Sequence, residues 1–250
     1  MTFLYEQLSI PKPHQEEKNG NHLLEQINFL HHQLMETYET TIHGWIHALE
    51  LHDGESREHA FRVASMTETF ARYLGFKDPQ IFHIRNGALL HDIGKLGVPG
   101  SILKKCGPLA EDEWEIVRKH PIHAYQLLSP ISFLKPALEI PLYHHEKWNG
   151  GGYPYGLSKE QIPLPARIFT VVDVWDALRS NRPYRNEAWS DKKIIAYLEK
   201  QSGEDFDPEI VKAFVKLLNQ PNKKKSFVVD TVPRHQYNLQ ILIVSPHREE

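Results

Sequence analysis

Along residues 22–51 the apolar positions Leu23, Ile27, Leu30, Leu34, Tyr38, Ile42, Trp45 and Leu49 return at helical spacing. The pattern predicts one long helix or two short ones. Ahead of it, residues 1–21 carry Pro11, Pro13, Gly20 and mixed charge, and read as a flexible leader. A second helix is expected from Ser56 to Tyr73, with Phe61, Ala64, Phe70 and Leu74 as its apolar stripe and Gly75 as its C-terminal cap. Asp78-Pro79 opens a third, which should run through Ile81–Leu90, carry His91 and Asp92, and stop at Gly94.

Gly94, Gly97, Pro99, Gly100, Gly107 and Pro108 make residues 94–110 a loop with little regular structure. The acids Glu111, Asp112 and Glu113 suit a helix N-terminus, and that helix is expected to end near His120-Pro121. Further helices fit 122–128, 133–145, 164–180, 190–201 and 208–218, and the glycine-rich stretch 149–154 separates the second of these from the third. Strands with period-2 alternation are scarce before residue 225. The reading is all-α: a flexible leader at 1–21, an N-terminal helical segment at 22–45, a helical domain at 46–220, then a linker and tail at 221–250. Within the tail, Leu239–Val244 has the look of one buried strand. It is either the start of a following α/β domain or a segment packed on the helical one.

Composition narrows the function classes. At 40% hydrophobic and 24% charged the chain is an ordinary globular one. A formal net charge of -3 supplies no bulk basic field for duplex nucleic acid or an anionic membrane. No apolar run approaches the ~18 residues that a membrane-spanning helix needs. The single cysteine, Cys106, rules out an internal disulfide framework, and with no recognisable signal peptide it predicts a reducing cytoplasm. Nothing beside Cys106 marks it as an activated thiol. The one excess is 16 histidines, which points towards metal.

His91-Asp92-Ile93-Gly94-Lys95 places a histidine, a carboxylate and a cation together at a helix end. A buried His-Asp pair is expensive unless something binds it. Glu55 and His59 stand four apart and so share a helix face. Two adjacent histidines, His144 and His145, point about 100° apart on a helix and seldom suit one apolar core. Asp173 lies among Val171, Val172 and Val174, where a carboxylate needs a cation or donors. Each signal alone has a bland alternative, such as a solvated pair, a capped histidine or a surface lysine. Together with His120 they form a nitrogen and oxygen donor set without thiolate, which suits iron, manganese or zinc in a multinuclear site. The other histidine pair at helical spacing, His43 and His47, has no suitable acid beside it and reads as structural.

Three blocks, HDIGKLGVP at 91–99, HHEKWNGGGYP at 144–154 and DVWDALRSNRPYR at 173–185, resemble the signature motifs of the HD-GYP branch of the HD phosphohydrolase superfamily. The resemblance covers about residues 45–220. It implies an HD-type helical bundle with additional C-terminal helices, and a phosphodiesterase that uses metal-activated hydroxide to hydrolyse cyclic di-GMP to linear pGpG or GMP. Carried over by position, the implied metal ligands are Glu55, His59, His91, Asp92, His120, His144, His145 and Asp173. Lys95 matches the family's catalytic lysine beside Asp92. Gly152, Tyr153 and Pro154 match the tripeptide that names the family, and Arg182 and Arg185 match substrate-contacting positions, with Asp53 and Asp176 as further candidates. Two or three divalent ions, iron or manganese, are implied, with Glu55 favouring three. Departures from the motif are few: Asn149 stands where an aspartate is common, Asn186 where a lysine is, and Cys106 where a proline is. The alternatives are a sensor that binds the dinucleotide without cleaving it and a hydrolase for another cyclic dinucleotide. A homodimer or a signalling partner fits the N-terminal helix.

Overall fold

The computed structural model describes residues 13–54, 56–180 and 187–220. Every regular element among them is helical, as the periodicity predicts. The candidates Glu55, Arg182 and Arg185 and the strand segment 239–244 lie outside the described residues. By contacts the chain separates into two compact units, Met1–Gly44 and Trp45–Glu250. No helix among the described residues is long and apolar enough to cross a membrane.

Helix α1 is a single element, Pro13–Asp53, so it begins inside the stretch expected as leader. The periodic run from Leu23 to Leu49 is thus one helix and not two. In the second unit, α2 (Arg57–Tyr73) starts where the Ser56 hydroxyl accepts from the Glu58 backbone N–H at 3.2 Å. It ends in a Schellman motif: Gly75 sits at φ +94, its N–H donates to Arg72 O, and Phe76 N–H donates to Ala71 O. The buried face of α2 is His59, Val63, Ala64, Met66, Thr67, Phe70 and Ala71. Phe61 and Leu74, expected on that stripe, are only half-buried. The true stripe turns about the helix to bring His59 inward, and polar Thr67 lies on it, so apolarity alone located it poorly.

Helix α2 packs against α3 (Asp78–Leu89) and α8 (Leu164–Arg179), and α10 (Pro208–Leu218) closes over α8 and α9 (Asp191–Lys200). Phe70, Phe214 and Trp175 meet at the centre: ring centroids lie 5.0 Å apart for Phe70–Phe214 and 5.7 Å for Trp175–Phe214. Each is fully buried, a contribution of about 2–3 kcal/mol per aromatic side chain. Helix α10 is opened by Asp207, whose carboxylate accepts from the N–H groups of Glu209 and Ile210 and also takes Arg167 at 2.6 Å.

Several boundaries differ from the sequence expectation. Helix α3 stops at Leu89 rather than Gly94, because the Leu90 N–H is shared between Asn86 O and Gly87 O and the chain tightens. His91 and Asp92 therefore sit in a turn, followed by the 3-10 segment Ile93–Gly97. The region expected as loop also holds a short helix, α4 (Gly100–Leu103). After α5 (Glu111–Val117), His120-Pro121 opens α6 (His120–Leu128) instead of closing its predecessor, with the proline in the first turn where its missing N–H is harmless. The helix expected over 133–145 is divided into a 3-10 segment, Ser132–Ala137, and α7 (Glu139–Tyr143), since Pro136 has no N–H to continue an α-helical ladder.

Candidate metal centre

Two groups of donors converge in the second unit. Asp92, His120, His144 and His145 place one donor atom each within 4.8 Å of one another, and so do His59, His91 and Asp173. These are seven of the eight ligands that the motif resemblance implies, brought together from the start of α2, the turn after α3, the start of α6, the end of α7 and the middle of α8. Asp92 stands between the groups. Its Oδ1 lies 3.3 Å from His120 Nε2 and 3.8 Å from His144 Nε2, while Oδ2 lies 3.1 Å from His91 Nε2.

The imidazoles are oriented from behind. Nδ1 of His91 lies 2.9 Å from Ala88 O, Nδ1 of His120 is 2.8 Å from Val117 O, and Nδ1 of His144 is 3.1 Å from both Ile140 O and Pro141 O. A backbone carbonyl only accepts, so each ring carries a proton on Nδ1 and, when neutral, presents a lone pair on Nε2. His59 is held by a carboxylate instead: Asp176 Oδ2 lies 2.7 Å from Nδ1, and Nε2 faces Asp173 Oδ1 at 3.3 Å.

This arrangement leaves acceptors facing acceptors. His120 Nε2 and His144 Nε2 are 3.3 Å apart, and Asp92 Oδ1 is buried with no hydrogen-bond donor. Protonation does not relieve the crowding at His120, because burial pushes its pKa down to about 4. Burial, with His144 and His120 as neighbours, holds His145 well below the usual imidazole range as well. Burial alone would raise the Asp92 carboxyl, yet Lys95 and His91 outweigh it and hold Asp92 well below the usual carboxylate range. Asp173 is likewise lowered against burial by His59. A concave, largely buried set of imidazole nitrogens and ionised oxygens fits divalent metal ions.

Around the donors stand the other candidates. Lys95 Nζ reaches Asp92 Oδ2 at 2.6 Å and lies 3.9 Å from Asp53 Oδ2. Asp53 lines a small cavity with His59, His91 and Asp92. Tyr153 stacks on His145 with centroids 4.6 Å apart and planes at 27°. Gly152 is required there: a Cβ would stand 2.5 Å from Glu146 Cα and His145 O. Pro154 follows, half-buried in the same loop. Asp176 was expected against substrate, but its two oxygens are taken by His59 and by Arg62, whose Nε and Nη2 donate at 2.8 and 2.9 Å.

Sequence reasoning passed over two contributors. Arg62, one turn after His59 on α2, braces Asp176 and also donates to Ser180 Oγ at 3.2 Å. Glu146 is 2% exposed and accepts the Tyr155 N–H at 2.7 Å and the Leu157 N–H at 3.0 Å. A glutamate directly after a double histidine and before a glycine-rich loop was the available signal for the second.

Helices enclosing adjacent His-Asp donors define an α-helical domain built around a candidate metal centre. Residues 45–210 match the HD domain family, and the chain belongs to it. The chain is 40% identical over 186 residues to a cyclic di-GMP phosphodiesterase response regulator, RpfG, from Xanthomonas campestris, which covers 74% of this chain and 49% of that protein. It is 37% identical over 180 residues to a 3'3'-cGAMP-specific phosphodiesterase of Vibrio cholerae, covering 71% of this chain and 34% of the relative. The chain thus spans half or less of the length of these curated relatives. A crystal structure of a cyclic GMP-AMP specific phosphodiesterase of V. cholerae shares the fold, with a TM-score of 0.61 at 18% identity over 76% of this chain and 51% of that one.

Proposed function

We propose that this chain is a metal-dependent phosphodiesterase that hydrolyses cyclic di-GMP to linear pGpG or GMP, acting in the cytoplasm. The observation that carries the reading is Asp92, whose two oxygens face separate donor groups while Lys95 stands 2.6 Å away. A relative named as a cyclic di-GMP phosphodiesterase, at 40% identity, supports the substrate.

In this reading His59, His91, Asp92, His120, His144, His145 and Asp173 would hold divalent ions, iron or manganese, and Asp92 lies between the two donor clusters. Glu55, outside the described residues, would complete a third position. Bound metals supply Lewis acidity, activating water and neutralising charge on the phosphoryl oxygens. The protein's own part is positional and electrostatic. Lys95 offers a cation to the phosphate as negative charge develops on it, at a place already set by Asp92. Tyr153 covers His145 and gives the site a flat aromatic wall. Arg182 and Arg185, also outside the described residues, would supply forked donors to phosphates and planes for the guanines.

The test is metal analysis of anaerobically purified protein followed by product chromatography over cyclic di-GMP, mixed cyclic GMP-AMP and linear dinucleotides. Metal-dependent release of linear product, lost in Asp92→Ala with helical circular dichroism retained, is expected. Binding without product would make the domain a sensor. Faster turnover of the mixed dinucleotide, the substrate named for the V. cholerae relative, would reassign the substrate.

A further inference from the structure

Glu146 is the most deeply buried carboxylate near the donor groups that takes no part in them. It follows His144 and His145 directly, at the end of α7, and its relative exposure is 2%. Its two oxygens receive two main-chain N–H groups from one loop, Tyr155 at 2.7 Å and Leu157 at 3.0 Å. A buried carboxylate holding amides with separate oxygens is a rigid clamp, because charge-assisted bonds are short and a misplaced partner leaves a charge unsatisfied.

The clamped loop carries Tyr153. Between Glu146 and that ring the chain is closed by further bonds: Tyr153 N–H donates to His145 O at 3.2 Å, and Asn149 Oδ1 accepts the Gly151 N–H at 2.8 Å. The ring itself lies flat on His145 and 6.4 Å from His120. Of the four donors in that group His145 alone is not fully buried. Tyr153 therefore stands over the open side of the group, where a substrate phosphate must approach.

We infer that Glu146 is a positioning residue for substrate: by holding Tyr155 and Leu157 it fixes Tyr153 over His145. The inference rests on the phosphodiesterase reading above. It separates two duties of one short segment. His144 and His145 belong to the donor group, and Glu146 turns away to set the wall beside them. Loss of the clamp should then weaken substrate binding while leaving metal retention intact, since no donor atom belongs to Glu146.

The conservative change is Glu146→Gln, which keeps the volume but sets an NH2 donor against one of the two amides. The metal-loaded full chain is compared with Glu146→Gln, Tyr153→Ala and the double variant by metal content, steady-state kinetics on cyclic di-GMP, and hydrogen exchange over residues 150–158. Expected are unchanged metal content, faster exchange in the loop, a rise in KM of about 10-fold with a smaller change in kcat, and a double variant no worse than Tyr153→Ala. Should Glu146→Gln fail to fold, Leu157→Pro removes one clamped N–H and leaves the carboxylate in place, and the same comparison applies. An unchanged KM despite faster loop exchange, lost metal, or additive effects in the double variant overturns the inference. A wild-type chain that turns over no dinucleotide sinks the phosphodiesterase reading itself, so the two failures are distinct.

Discussion

Asp176 stands behind His59, with its Oδ2 2.7 Å from the ring Nδ1 and 117 residues away in the chain. Arg62 grips the same carboxylate with two N–H groups, so a cation, an acid and an imidazole lie in line behind the donor group formed with His91 and Asp173. Carboxylates in this place fix the tautomer and raise the basicity of the ligating nitrogen.

Asp176→Ala is therefore expected to weaken metal binding at the His59 group by about 10- to 100-fold. The group around His120 keeps its donors and should keep its ion. Metal titration by calorimetry, resolved into two classes of site, reads the difference. Equal weakening at both classes would mean that Asp176 supports the fold at large and not this ligand.

Lys95 gives a different kind of prediction. Its ammonium lies 2.6 Å from Asp92 Oδ2 and is a cation rather than a metal donor, so its removal should spare metal retention and act on the charged transition state. Lys95→Ala is expected to lower kcat on cyclic di-GMP by about 100- to 1000-fold, the usual effect of deleting one electrostatic stabiliser. Metal content should match the wild type. A fall confined to KM would place Lys95 in ground-state binding only.

Much of the site was legible because its signals are local. Adjacent histidines at 144 and 145 and a carboxylate in the valine run at 173 each violate the pattern of an ordinary core, and both violations fall within the two clusters of candidate donors. The end of α3 was not legible, because the apolar run continues to Leu90 and the visible stop is Gly94. What ends the helix is a shared main-chain hydrogen bond at Leu90 that leaves no trace in side-chain type. The same applies to Glu146, whose partners are backbone amides, and to the pairing of Asp176 with His59, which only the packing of α2 on α8 creates.

Gly94 shows where fold and site are one constraint. A Cβ there would collide with His120 O and stand 2.5 Å from Ala124 N, both backbone atoms of α6. Gly94→Ala must push α6 away from the turn that holds His91 and Asp92, and with it His120. The expected loss is about 2 kcal/mol, roughly 5 °C or more in Tm, with metal affinity at the His120 group reduced as well. Thermal unfolding with and without metal checks both, and an unchanged Tm would show that the 3-10 segment can yield.

The metal-free chain should lose stability in mild acid. Burial holds His120 at about 4 in the folded state and pushes His145 down as well, whereas the unfolded rings titrate near their ordinary value of 6.5. A depressed folded pKa means that the unfolded state binds protons first as the pH falls. The stability these rings allow is thus complete above pH ~6.5 and declines as the pH drops towards ~4. His91 works in the opposite sense, since Asp92 raises its pKa against burial, and it offsets part of the loss. For His120 alone the decline by pH 4.5 is on the order of 2 kcal/mol. Urea unfolding of chelator-treated protein at pH 7.5 and 4.5 measures it, with a lower midpoint expected at the acid end. Restoring metal at pH 7.5 should raise the midpoint, because an ion that binds only the folded donors stabilises by mass action. A midpoint at pH 4.5 equal to that at pH 7.5 would mean that His120 and His145 are not held neutral by their surroundings.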